Sequence, residues 1–166
     1  MSTTTYAPTY GSWTAWTCGI ASLATSSTLL AGRESTVITP AAEDIEVDGS
    51  IYCGTSPTAG GIIQVFAYAK QDGSTYPDAM TGSDSNRSVT SANVKNSGWL
   101  KTLVSATVDN TSDRPYPFFC GSLAQVFGGK LPEIVGIWVV HSTGVNLKSS
   151  AHVLNWRTVS VTATTV

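Results

Sequence analysis

The sequence predicts an all-β protein, a jelly-roll-like sandwich of two β-sheets with at most one or two short helices. Most segments alternate apolar and polar residues with a period of two, turn residues separate these segments at regular intervals, and helical periodicity is nearly absent. A chain of 166 residues is long enough to bury a core without disulfides or metals. We therefore expect one domain over residues 1–166, with residues 1–11 as an extended N-terminal arm.

Four predicted strands lie in the N-terminal part of the chain. In the first strand Trp13 and Trp16 fall on opposite faces. Gly32 is a candidate bulge in the second, because glycine inside a strand pattern often marks an irregular pairing. In the third, Ile45 and Val47 alternate with charged residues, and the fourth alternates throughout. These strands span 12–23, 27–39, 43–54 and 61–70.

Four further strands are predicted in the C-terminal part. Residues 98–108 and 152–166 show the same alternation. Residues 114–121 contain two prolines, which fits an edge strand because proline donates no backbone hydrogen bond. Residues 132–140 are almost wholly apolar, which predicts a central strand covered on both faces.

The connections between these strands carry recognisable signals. Residues 121–129 form the one plausible helix, since Ser122 could cap it and the glycines that follow could end it. Residues 56–61 contain a proline and paired glycines, and residues 71–74 contain Asp-Gly; both suit hairpin connections. Residues 76–97 show no pattern, and a loop of this length usually has a function or packs against a neighbour.

The composition is poor in charge and rich in hydroxyl groups. Charged residues make up 12% of the chain, about half of what is usual for globular domains, whereas 21 Ser and 23 Thr make up about a quarter. A surface of this kind suits a protein that is packed in an assembly or lies outside a cell. It also suits an ordinary β-rich domain, because threonine is favoured in strands.

Several partners are not expected. The nine Lys and Arg residues are scattered singly, so the chain lacks the basic cluster of a nucleic-acid-binding protein. No apolar run has transmembrane length, and the first twelve residues lack the charged and apolar regions of a signal peptide. We expect no membrane partner and synthesis in the cytoplasm.

The cysteines and the motifs of the chain predict no cofactor and no metal. Cys18, Cys53 and Cys120 are odd in number and lack CxxC spacing, which favours buried free thiols over a disulfide framework or a zinc site. The sequence contains no P-loop, no GxGxxG and no HExxH motif.

Both histidines of the chain flank a segment rich in Ser, Gly and Asn. His141 and His152 are predicted to face each other across a hairpin, with a metal-binding or pH-responsive pair as the alternative. His141 and Ser142 are adjacent in a strand, so their side chains point to opposite faces and cannot act together as base and nucleophile.

Carboxylates give only a weak signal for catalysis. Asp44, Glu46 and Asp48 fall on one strand face, where a solvated surface is favoured over the paired carboxylates of a glycosidase. Calcium binding by the acidic residues between 72 and 86 is disfavoured, because their spacing does not match an EF-hand loop. We expect no catalytic residue and no enzymatic activity.

Four stretches of the chain carry a resemblance to a known family. Residues 21–35, 54–78, 111–118 and 127–147 resemble small structural proteins encoded among the virion genes of tailed bacteriophages. The resemblance implies a component of the phage particle, and no catalytic residues carry over because that class has none. A capsid decoration or cement protein on the outside of the shell is a further inference, and some such proteins are jelly rolls.

This inference has consequences for partners and location. The implied partners are the major capsid protein and further copies of the chain, as a dimer or trimer, at the capsid surface after synthesis in the host cytoplasm. The Trp-rich opening of the chain departs from the family pattern and is interpreted as an adaptation of an arm or interface. The candidate partner-interface residues are Tyr6, Tyr10, Trp13 and Trp16.

An alternative function is a carbohydrate- or receptor-binding module of a head or tail fibre. Five tryptophans and six tyrosines are enough to build a platform for sugars. Such a module would expose aromatic rings along a groove, whereas a decoration protein would expose apolar patches and extended termini.

Overall fold

The computed structural model describes residues 4–70 and 74–165, which form two antiparallel β-sheets and two short helices. We call the sheet that contains the first and the last strand the terminal sheet. Its strands are β1 (Thr4–Tyr10), β2 (Thr14–Ala15), β4 (Asp44–Tyr52), β8 (Pro115–Cys120) and β10 (Val153–Thr165). The other sheet, which we call the covered sheet, contains β3 (Ala31–Glu34), β5 (Ile62–Ala69), β6 (Ser85–Ser88), β7 (Lys101–Thr107) and β9 (Val135–His141). The helices are α1 (Ala92–Lys95) and α2 (Leu123–Val126).

The strand order confirms the predicted jelly-roll sandwich. The terminal sheet contains the path β2-β10-β4-β8, and the covered sheet contains the path β3-β9-β5-β7, with β6 added outside β3. From β2 to β5, successive strands lie alternately in the two sheets. β7 lies in the same sheet as β5, and from β7 to β10 the strands alternate again. This is the connectivity of two interlocked Greek keys.

Two strands take the positions that their composition predicted. The Pro-containing β8 is the edge strand of the terminal sheet, where a missing backbone donor costs little. The apolar β9 is the central strand of the covered sheet, and all seven of its residues are buried. A strand without a polar face must be covered on both sides, and two separate clusters cover it.

The first cluster fills the space between the sheets. It includes Ile45 and Val47 of β4 and Ile137 of β9, all fully buried. α2 closes one end of this core, with Leu123 and Ala124 buried. The helix begins where the sequence predicted, because the Ser122 side chain accepts a hydrogen bond from the Gln125 N–H. It ends before two glycines with positive φ.

The second cluster explains the unpatterned segment. Met80, Val89 and Leu100 pack on Phe66 and Trp138, so residues in the range 74–100 lie over the outer face of the covered sheet. The expectation that this long segment packs against a neighbour is therefore met within the chain itself. α1 and β6, which the sequence did not predict, belong to this cover.

Some predicted elements differ from the structure. The strands over 12–23 and 27–39 shorten to β2 and β3, because Trp16, Ile20 and Leu23 enter the core from an irregular segment. Gly32 pairs in register and is not a bulge. A Cβ there would collide with the Val139 carbonyl and with the Trp138 ring.

The predicted hairpins were wrong. β9 lies in the covered sheet and β10 in the terminal sheet, so residues 142–152 cross between sheets and His141 pairs with Ile63. Residues 56–61 likewise connect β4 of one sheet to β5 of the other. The turn predicted over 71–74 falls mostly outside the described residues.

Candidate functional site

The first strand and the end of the last strand pair with each other and are largely exposed. β10 has 13 residues, but only the first seven, from Val153 to Val159, pair with β4. From Val159 onward β10 pairs with β1, in a register that places Tyr10 opposite Val159 and Thr4 opposite Thr165. We call Thr4–Tyr10 together with residues 159–165 the terminal ribbon. Every residue of β1 is exposed.

The terminal ribbon has two chemically different faces, because residues directly opposite each other in an antiparallel pair share a face. One face is apolar, and on it Tyr6 is 70%, Tyr10 50% and Val161 53% exposed. The other face carries hydroxyl groups, two of which, Thr9 Oγ1 and Thr162 Oγ1, are 3.0 Å apart. The apolar face consists of Tyr6, Pro8, Tyr10, Val159, Val161 and Ala163.

The outer surface of the terminal sheet carries further exposed hydrophobic side chains, which the polar side chains of Glu46, Asp48 and Arg157 separate from the ribbon. Phe119 of β8, 59% exposed, lies opposite Asp48, and Val153 of β10, 39% exposed, lies opposite Ser50 on the same face. Seven large hydrophobic side chains are exposed within residues 4–70 and 74–165, and Trp99 alone lies away from this surface. A concentration of this kind is typical of a protein–protein contact surface.

Arg157 holds the base of the ribbon on the sandwich. Its guanidinium carbon lies 4.6 Å from the ring centre of Tyr10 and 4.6 Å from that of Trp13. Its Nε donates to Glu46 Oε2 at 2.6 Å, and Glu46 is only 8% exposed. One cation therefore binds two aromatic rings and a carboxylate on the neighbouring strand.

Each edge of the ribbon has one position that hinders the addition of another strand. Gly11 N–H donates to the Thr158 carbonyl, so by the alternation of an antiparallel ladder the nitrogen of Pro8 faces the free edge, where it has no hydrogen to donate. On the other edge the Glu43 carboxylate accepts hydrogen bonds from its own N–H, the Ser160 hydroxyl and the Val161 N–H, which lower its pKa. Both features disfavour strand addition at these positions, which favours the face of the ribbon as the contact surface.

The four candidate interface residues fall into two groups. Tyr6, Tyr10 and Trp13, the last 41% exposed, belong to the exposed surface just described. Trp16 is 3% exposed, packs in the core between the sheets, and donates from Nε1 to the Thr36 carbonyl. Trp16 is therefore a core residue and does not contribute to the exposed surface. Residues 4–10 of the expected N-terminal arm are extended, and they pair with β10.

The histidines are bound to the backbone and do not face each other. His141 is fully buried, and its Nε2 donates to the Leu23 carbonyl at 3.0 Å while Nδ1 lies 3.0 Å from Thr143 Oγ1. His152 accepts from the Tyr52 N–H and donates to the Lys148 carbonyl. Burial lowers the pKa of both histidines, so both are neutral at pH 7.

The carboxylates of β4 share one face, as predicted, but two of them are engaged and not free in solvent. Asp44 accepts from the Ser122 hydroxyl and the Ala124 N–H at the start of α2, and Glu46 binds Arg157. Of the acidic residues between 72 and 86, Asp78 binds Thr90 and Asp84 binds Arg33, and Asp72 lies outside the described residues. The described part of the chain contains no group of three or more His, Cys, Asp or Glu placed to hold a metal ion.

The three cysteines are unpaired. Burial raises the pKa of Cys18 and Cys120 above the usual range and that of Cys53 to about 11. All three are therefore protonated thiols at pH 7, which are poor nucleophiles.

One buried carboxylate, which no sequence pattern indicated, binds the segment that lies over the covered sheet. Glu34 is fully buried, and its oxygens accept from the Tyr68 hydroxyl at 2.5 Å, the Gly82 N–H, Arg87 Nε and both donors of Thr81. Its donors lie 34 to 53 residues away in sequence, so no local pattern indicates them.

Comparison of the chain with protein-family models, with curated proteins and with solved structures finds no match. Within the described residues neither helix has the length and apolar character needed to cross a membrane.

Proposed function

We propose that the protein is a non-enzymatic structural protein of a bacteriophage virion, a decoration or cement protein that binds the outer surface of the capsid. The terminal ribbon and the outer face of the terminal sheet contact the major capsid protein. The chain also associates with itself as a dimer or trimer, and the assembly stays at the capsid surface.

The observation that carries the docking role is the exposed apolar face of the terminal ribbon. A two-stranded ribbon that projects beyond its sheet is only marginally stable in water. Tyr6, Tyr10 and Val161 would bury their exposed surface on a partner, and few ions would have to leave water because that face of the ribbon carries no charge. Many copies on one shell would add their contacts by avidity.

The phage context rests on the resemblance of the four sequence stretches to virion proteins. The fold is compatible with it, since jelly rolls occur in viral capsid and lectin domains, but a fold alone does not assign a function. The bonded histidines and carboxylates and the protonated thiols support a role without catalysis.

The test uses particles of the parent phage from which this chain has been removed. The purified chain should bind them at a fixed copy number, measured by co-sedimentation, and should raise the temperature at which they release their genome. A double variant on the apolar face, Tyr6→Ser with Val161→Ser, should bind poorly. The matched control on the hydroxyl face, Thr9→Ala with Thr162→Ala, should bind like the parent chain.

The proposal is overturned if depleted particles neither bind the chain nor release their genome at a lower temperature than complete ones. It is also overturned if both double variants bind equally well.

A carbohydrate-binding module of a head or tail fibre is the second candidate function. One observation favours it: Trp99 is half exposed, away from the apolar surface of the terminal sheet.

A further inference from the structure

A cleft opens at the end of the sandwich where α2 lies. The connection from β3 to β4, the connection from β8 to β9 and the ends of β5 and β7 meet there. Its main part has a volume of about 610 Å³, and a smaller part of about 230 Å³ shares Lys70 and Phe127 with it. The apolar residues that line the main part include Pro40, Leu131, Pro132 and Ile134.

Three of the nine basic residues of the chain line this cleft, namely Lys70, Lys101 and Lys130. None of the five ion pairs formed within the described residues involves them. Lys70 lies over the Tyr76 ring at 4.8 Å, and Glu133 is the one acidic residue among those that line the two parts. A cleft with an excess of positive charge attracts an anion, and its low-dielectric walls strengthen that field.

The cleft also carries a flat aromatic surface. Trp99 lines its smaller part and is 50% exposed. An indole ring left half exposed beside ammonium groups suits a ligand that has both an apolar face and a negative charge.

We propose that this cleft binds an acidic saccharide. The C–H face of a pyranose ring stacks on the Trp99 indole, and a carboxylate or sulfate of the sugar accepts hydrogen bonds from the lysine ammonium groups. A nucleic acid is disfavoured because the basic residues form no extended stripe. A peptide made only of Asp and Glu would satisfy the lysines but has no ring face to cover the indole.

This site is separate from the docking surface proposed above. None of the residues that line the cleft belongs to the terminal ribbon or to the outer face of the terminal sheet. The saccharide proposal is therefore tested on different residues from those of the capsid proposal.

The test is a titration of the full chain, followed by calorimetry, with three oligomers of equal length: an oligouronate, the neutral maltohexaose and hexaglutamate. The oligouronate should bind most tightly, and its affinity should fall as salt is added. Trp99→Ala should weaken binding about tenfold, and Lys101→Ala with Lys130→Ala should do so at least as strongly. Trp13→Ala and Lys148→Ala, which change an exposed Trp and a Lys elsewhere, are the matched controls and should bind like the parent.

Circular dichroism should show that all variants are folded, because the changed side chains are exposed or half-buried. The proposal is overturned if the oligouronate does not bind or if Trp99→Ala leaves its affinity unchanged. It is also overturned if hexaglutamate binds as tightly, which indicates a peptide site, or if maltohexaose does, which excludes a role for the charge.

Discussion

Arg157 and Glu46 lie directly opposite each other on β10 and β4, with 2.6 Å between Nε and Oε2. The same guanidinium lies against the rings of Tyr10 and Trp13, so this pair joins the exposed ribbon to the body of the sandwich. The side chains of Arg157 and Glu46 are 27% and 11% exposed, which makes the pair less screened by solvent than an ordinary surface ion pair.

The first prediction concerns this pair. Glu46→Gln should lower the free energy of unfolding by roughly 1–3 kcal/mol, since a charge-assisted hydrogen bond in a partly buried site is weakened. Asp113→Asn is the matched control, because Asp113 is half exposed and its oxygen lies 3.7 Å from Lys148 Nζ. It should change stability by less than about 1 kcal/mol. Urea unfolding measures both, and equal losses would contradict the prediction.

The second prediction concerns the buried carboxylate of Glu34. Glu34→Gln puts an NH₂ group among five donors and leaves Arg87 without its counter-charge. The free energy of unfolding should therefore fall by roughly 3–5 kcal/mol. The loss should be greatest in the segment that Glu34 holds, so amides of residues 80–90 should exchange with deuterium much faster. Glu133→Gln, at an exposed position, should leave exchange unchanged. Parental protection of residues 80–90 in Glu34→Gln would show that the network does not hold the cover.

Much of the fold could be predicted from the sequence because the central strands are covered by the core. Alternation predicted β4, β5, β7 and β10, and the wholly apolar run predicted β9 as a central strand. The strand predicted before β3 is largely irregular, because Trp16 and Ile20 are apolar and buried without belonging to a strand. The hairpin at the histidines was wrong for a topological reason, since a local pattern does not reveal that adjacent strands belong to different sheets.

The candidate surface was predictable only in part. The aromatic residues near the N-terminus indicated Tyr6, Tyr10 and Trp13, but the pairing of β1 with β10 joins strands far apart in sequence and leaves no local signal. β1 has no buried residue, so it lacks the alternation by which a strand is recognised. Trp13 and Trp16 look alike in sequence, and only the packing separates the exposed ring from the core ring.

The third prediction is that the protein loses stability as the pH falls below about 6.5. Burial lowers the pKa of His141 and His152 in the folded state, so the unfolded chain binds more protons than the folded one between the folded pKa values and about 6.5. The histidine contribution should be constant at neutral pH, and stability should fall below this range by at most about 1.4 kcal/mol per pH unit for each histidine.

Urea midpoints at pH 7.5 and 5.5 measure this loss, and His152→Gln should show a smaller difference between the two. Asp109, whose pKa is lowered by hydrogen bonds from the Thr111 N–H and the Tyr116 hydroxyl, contributes only at more acidic pH. Identical midpoints at the two pH values would contradict the prediction.

The fourth prediction concerns the core between the sheets. Ile137 is fully buried on the central strand, so Ile137→Asp should prevent soluble folding because an unpaired buried charge costs several kcal/mol. Ile137→Val keeps the chain folded and should cost about 0.5–1.5 kcal/mol by thermal or urea unfolding. The control is Val153→Asp, at a position 39% exposed, which should remain soluble. If the Ile137→Asp variant is soluble and unfolds like the parent chain, β9 does not support the core.

The last prediction separates the ribbon from the fold. Deleting residues 1–11 removes β1, which contributes no buried residue, while Trp16 and the rest of the core remain. The truncated chain should therefore stay folded, with a small decrease in melting temperature from the loss of the Tyr10 contact with Arg157. Amides of residues 160–165 should lose their protection, because this part of β10 has lost its partner strand. The same chain should bind depleted phage particles much more weakly than the full chain in co-sedimentation. Unchanged particle binding would exclude the N-terminal strand from the contact, and global unfolding would show that the ribbon is part of the folding core.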